Sequence, residues 1–157
     1  MKTASLKEIK TELNHRSHKE LLELCLSLAK SKKENKELLT YLLFESDNEE
    51  TYIQNIKSKL DSDFDMINTH SYYFIKKSVR KILRDLKKFI RYSKNKETEV
   101  VLLIYFCCKL KSMHPSISQN PVLSRLYDRQ VAYVKKKMEL LHEDLRHDYG
   151  LELKSLE

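Results

Sequence analysis

Apolar residues recur three and four positions apart along nearly the whole chain, the period of a helix with one buried face. Leu6, Ile9 and Leu13 mark a short first helix. Ser17 to Glu20 then reads S-x-x-E, a capping box in which the serine oxygen accepts from an orphan backbone N–H and the glutamate reaches back to another. The second helix carries Leu21, Leu24, Cys25 and Leu28 on one stripe, with Leu22, Leu26 and Ala29 beside it. Past a polar link at Ser31 to Lys33, a third places Leu38, Leu39, Leu42 and Leu43 together and ends near Glu45. Asp47 to Glu50, D-x-x-E, opens a fourth with Tyr52, Ile53, Ile56, Leu60, Phe64 and Ile67 on one face. Asp61, Asp63 and Asp65 are poor mid-helix residues and predict a bend or break near Ser62.

After a break at Asn68 to Ser71, the fifth helix is expected over roughly Tyr72 to Tyr92, and the sixth over Glu97 to Met113. The stretch Val100 to Cys108 is apolar all round, which marks a helix enclosed by neighbours. Pro115 holds a loop from His114 to Asn120, and Asn120 followed by Pro121 is a favoured helix start. The last helix is read as continuous to Tyr149, with Tyr127, Val131, Val134, Met138, Leu141 and Leu145 forming a coiled-coil-like seam. Gly150 stands where a helix C-cap would want it, followed by a tail from Leu151 to Glu157. The expected fold is all-α: an irregular bundle of about seven helices, or a short HEAT-like right-handed stack, in one domain over residues 1–150.

Composition sharpens this. One glycine and two prolines in 157 residues leave little to build hairpins. Glycine-dependent phosphate loops, nucleophile elbows and dinucleotide folds are excluded with them. The net charge of +7 favours acidic partners. Cys25, Cys107 and Cys108 have no metal-type spacing and fit reduced thiols in a cytoplasmic setting. The first ten residues hold no apolar signal core, and no run is long enough to span a bilayer, so a soluble, cytoplasmic chain is expected. Docking of a basic amphipathic helix on a membrane is not expected either, because its apolar arc is used by the core.

The fifth segment concentrates the charge. At 100° per residue, Ile75, Val79, Ile82, Leu83, Leu86, Phe89 and Ile90 share one arc. Lys76, Lys77, Arg80, Lys81, Arg84, Lys87, Lys88 and Arg91 fill the opposite arc, with Asp85 at the border. Such a strip can dock an acidic protein or, without reading sequence, a nucleic acid. The competing reading is a solvated face neutralised by the acidic stretch Glu45 to Glu50 or by Asp61, Asp63 and Asp65. Tyr72, Tyr73 and Phe74 precede the strip and could stack on bases, although their spacing predicts core packing instead.

Other candidates for chemistry are weak. His142, Glu143, Asp144, His147 and Asp148 cluster near the end of the chain. His142 and His147 lie about 140° apart around a helix, so they do not close on one ion. No histidine pairs with a serine or cysteine as a nucleophile would need. The sequence reads as a non-enzymatic adaptor with no catalytic residues, cofactor or metal. The alternative is a self-associating structural protein, a homodimer through the seam of the last helix.

Three stretches carry a resemblance: Leu6-Lys7-Glu8-Ile9 through Leu13, Ser17-His18-Lys19-Glu20-Leu21-Leu22-Glu23-Leu24, and Lys36-Glu37-Leu38-Leu39-Thr40-Tyr41-Leu42. Over this first third the chain resembles small uncharacterised all-helical proteins of Bacteroidetes with HEAT-like hairpins. The resemblance implies a helical fold and brings no activity or site residues.

Overall fold

A computed structural model describes residues 2–156. Among them are eight α-helices and no strand: α1 (Leu6–Asn14), α2 (His18–Ser31), α3 (Lys33–Thr40), α4 (Glu49–Asp65), α5 (Tyr72–Ser93), α6 (Lys96–Lys111), α7 (Pro121–Met138) and α8 (Glu143–Lys154). A π-helical turn, Tyr41–Glu45, follows α3, and a short 3-10 turn, Ile117–Gln119, precedes α7. Chain length points to one domain over 1–150; by packing, the chain gathers into two compact units, Met1–Phe44 and Glu45–Glu157.

In the first unit, Ser5 and Ser17 each accept from the backbone N–H three residues on, and Glu8 and Glu20 complete both boxes. α2 packs on α3, joined through Lys32 and the Asn35 amide, which donates to the Leu28 carbonyl at 2.9 Å.

The second unit is built around α6, which touches α4, α5, α7 and α8. Val100, Leu102, Leu103, Phe106, Cys107 and Leu110 are fully or almost fully buried, as the all-round apolar stretch predicts. Cys107 faces inward and Cys108 outward; burial pushes the Cys107 thiol up to about 12 and leaves it inert. The Asn120 side chain accepts from the N–H groups of Val122 and Leu123, with Pro121 in the first turn.

Five expectations are corrected. Asn48, rather than Asp47, caps α4 by accepting from the Thr51 N–H. α4 also runs unbroken past Ser62, because Asp61 and Asp63 find partners along the helix and across it, with Lys59 at 2.9 Å from Asp63 and Tyr105 at 2.7 Å from Asp61. The last helix is two: α7 stops at Met138 and α8 starts after His142. Three lysines close α7, and Glu143 and Asp144 open α8, so the charges suit a C-terminus followed by an N-terminus. Gly150 consequently lies inside α8 instead of capping a helix, and Leu153 and Leu156 are buried where a tail was expected.

Tyrosine hydroxyls stitch this unit together. Tyr52 donates to the Phe89 carbonyl (2.9 Å), Tyr127 to the Leu156 carbonyl (2.7 Å) and Tyr149 to Glu97 (2.7 Å). Glu49 accepts from Thr98 at 2.6 Å and from Ser93, tying α4 to the helices beside it.

Candidate functional site

α5 forms where expected because its apolar and cationic residues separate cleanly around the helix. Ile75, Val79 and Leu86 are buried to 1% exposure or less, which fixes the rotation of the helix and turns the opposite face outward. It ends at Lys94, which takes the left-handed conformation (φ 58°) with its N–H on the Ile90 carbonyl.

The outward face divides into two stretches. Over the first, Lys77, Arg80, Lys81 and Arg84 are exposed and Lys76 is partly so. None of these five has an ion-pair partner among the described residues. With Tyr73 they line an open depression of 480 Å³. The span from Lys76 to Arg84 is about 12 Å along the axis.

The second stretch is already engaged. Lys88 lies 4.0 Å from Asp85, is largely buried, and rests against the Phe89 ring. Lys87 sits over the Tyr133 ring at 5.5 Å. Tyr133 donates to Glu99 at 2.7 Å, and Glu99 also takes Lys137 at 3.1 Å. Arg91 likewise has a partner within the chain. The strip expected from Lys76 to Arg91 is therefore cationic and unmatched at one end, and woven into the protein at the other.

Two acidic residues read as neutralisers are committed elsewhere. Asp61 accepts from Tyr105 and pairs with Lys109 at 2.9 Å; these hydrogen bonds hold its carboxyl below the usual range, the phenol making the larger contribution. Asp63 pairs with Lys59.

The aromatics ahead of the strip depart from expectation. Tyr72 is half-buried and donates to the Ser116 carbonyl at 2.8 Å. Tyr73 and Phe74, expected in the core, are 66% and 44% exposed and meet edge-on at 5.4 Å between centroids. Their place on the wheel explains this. Tyr73 is four residues from Lys77 and seven from Arg80, so it heads the cationic stripe, while Phe74 aligns with Lys81.

The remaining candidates are not gathered into a site. His142 flanks α8 and lies 3.5 Å from Asp144, both well exposed. Among the described residues no group of three or more His, Cys, Asp or Glu is placed to hold a metal ion, and no helix is long and apolar enough to cross a membrane. The seam side chains Val131, Val134 and Met138 are buried, and α7 packs against α6 and α8, so pairing two copies through the seam requires opening it.

Comparisons with family models, with curated proteins and with solved structures find no match to this chain. What the protein does has to be read from its own geometry.

Proposed function

We propose that this chain is a non-enzymatic helical adaptor that docks an acidic macromolecule on the outward face of α5, through Lys76, Lys77, Arg80, Lys81 and Arg84. The observation that carries this reading is a row of five cations, unpaired among the described residues, on a helix whose other face is locked in a core. Like charges this close repel one another, and an anionic ligand relieves that repulsion while releasing its own counterions. Exposed Tyr73 at the head of the row favours single-stranded nucleic acid over an acidic protein, because bases offer rings to stack. Contacts of this kind hold the backbone and do not select a base sequence.

The test is fluorescence anisotropy of a labelled single-stranded oligonucleotide across a salt series, with an acidic peptide of equal charge as comparison. Binding that falls steeply with salt, and is weakened by Lys77→Gln plus Lys81→Gln, supports the reading. Equal binding by that variant overturns it. Preference for the acidic peptide transfers the strip to a protein partner.

A further inference from the structure

The first unit carries a second surface, independent of the strip. α1, α2 and α3 bury no side chain, although Leu6, Ile9, Leu13, Leu22, Leu26 and Leu28 are all large and apolar. Around α2 the apolar arc runs from Leu24 through Leu28, Cys25 and Ala29 to Leu22 and Leu26, more than half the circumference. A helix greasy that far round is suited to being enclosed, and a unit of about 40 residues does not enclose it unaided.

α1 and the start of α2 form a groove of 580 Å³. Its apolar surface comes from Ala4, Ile9, Leu13 and Leu24, and its charged residues are Glu8, Glu12, Glu20 and Glu23 against the single cation Arg16. Arg16 is shared between Glu12 at 3.8 Å and Glu20 at 3.4 Å. Hydrogen bonds from Ser5 and Ser17 in the capping boxes hold Glu8 and Glu20 below the usual carboxylate range, so both stay ionised. The groove thus sets exposed apolar side chains beside four carboxylates and one cation.

We infer that this groove receives a cationic amphipathic helix from a partner protein, leucine-like side chains on the apolar surface and lysines or arginines against the glutamates. This is the helix-in-groove mode with charge complementarity fixing the orientation. A second copy pairing groove to groove fits poorly, since both sides bring the same four glutamates. The α5 helix of a second copy fits poorly too: it brings cations, but Ile75, Val79 and Leu86 of its apolar face are buried. With the strip on α5, the groove gives the chain two docking surfaces of opposite sign.

The probe is a fluorescent leucine–lysine peptide of about 18 residues with leucines at helical spacing, titrated with the full chain. Two controls accompany it: the same composition scrambled, and a leucine–glutamate version. The expected Kd is about 1–100 μM, with both controls at least about tenfold weaker. Glu12→Lys plus Glu23→Lys lies outside the capping boxes; circular dichroism verifies that the helices stand, and binding falls at least about tenfold. Lys77→Gln plus Lys81→Gln leaves it unchanged, which separates this groove from the strip. Equal binding by the scrambled peptide, or undiminished binding by the double glutamate variant, overturns the inference. So does self-association in light scattering that the glutamate variant abolishes, which would assign the groove to a second copy.

Discussion

Removing two of the five cations of α5 gives the sharpest check on the docking reading. Lys77→Gln plus Lys81→Gln takes out charges that are exposed and without ion-pair partners among the described residues, so the fold loses no ion pair. If each of the five cations displaces counterions from a single strand, the slope of log K against log salt is about −3.5, from 0.7 per phosphate contact. Raising salt from about 50 to about 200 mM then weakens binding roughly 130-fold. With three cations left the slope is about −2.1 and the same change costs only about 18-fold. Tyr73→Ala acts differently: losing a stacking ring costs about 1–3 kcal/mol at every salt concentration and leaves the slope alone. Anisotropy titrations at four or five salt concentrations measure both quantities at once. The reasoning is refuted if the double variant keeps the full slope, because binding would then lie elsewhere. A slope change on Tyr73→Ala would equally remove the ring from its stacking role.

Three further expectations concern the scaffold. Gly150 lies inside α8 without a positive φ, and an added Cβ would meet Met138 Cε at an ordinary 3.9 Å; Gly150→Ala should stabilise the chain by about 0.5–1 kcal/mol in urea denaturation, and a loss would show that the methyl group does not fit against Met138. Phe106 is fully buried in α6 against Phe64, so Phe106→Ala should cost about 3–5 kcal/mol in the same assay, and a cost near zero would remove α6 from the core. The third concerns pH. Burial first, then the hydrogen bond to Asp61, pushes the Tyr105 phenol up to about 12 from 10.0. A raised pKa contributes stability that is complete below pH 10 and lost as pH rises through the folded value. Asp61 is shifted down, so its contribution is present above its ordinary value of 3.8 and lost as pH falls through the folded value. In Tyr105→Phe the alkaline loss should shrink and the Asp61 carboxyl should titrate closer to its ordinary value by NMR; an unmoved Asp61 would deny the coupling.

The residues explain how much of this was readable beforehand. The box at Ser17 and Glu20, the Asn120–Pro121 start, and the two faces of α5 follow from local chemistry and periodicity, so they stand in the structure as in the sequence. The enclosed helix α6 is legible because no face of its stretch Val100 to Cys108 is polar. The break between α7 and α8 was masked by Leu141 and Leu145, which continue the seam spacing across a turn at 139–142. The lone glycine misled for the same reason, since a cap position has meaning only once the helix ends are known. The candidate site was half legible. Periodicity places the strip on one face, but the loss of Lys87 and Lys88 to Tyr133, Phe89 and Asp85 depends partly on a neighbouring helix. Apolar spacing alone puts Tyr73 and Phe74 in the core, whereas their angular place beside Lys77 and Lys81 turns them outward. The hydroxyl bonds of Tyr105 and Tyr149 join residues 44 and 52 positions apart, and no local pattern encodes such pairs.

The anchoring of α5 has a consequence for selectivity. With Ile75, Val79 and Leu86 clamped on the far side, the backbone beneath the cations cannot flex or re-pitch to suit a ligand. The backbone adds no ordering cost of its own to an association there, which leaves the exposed lysine and arginine stems and the partner to be ordered. On the docking reading proposed above, the helix sets the pitch of the row and the partner makes the remaining adjustment, so a supple polyanion is expected to satisfy it more readily than a stiff one of equal charge.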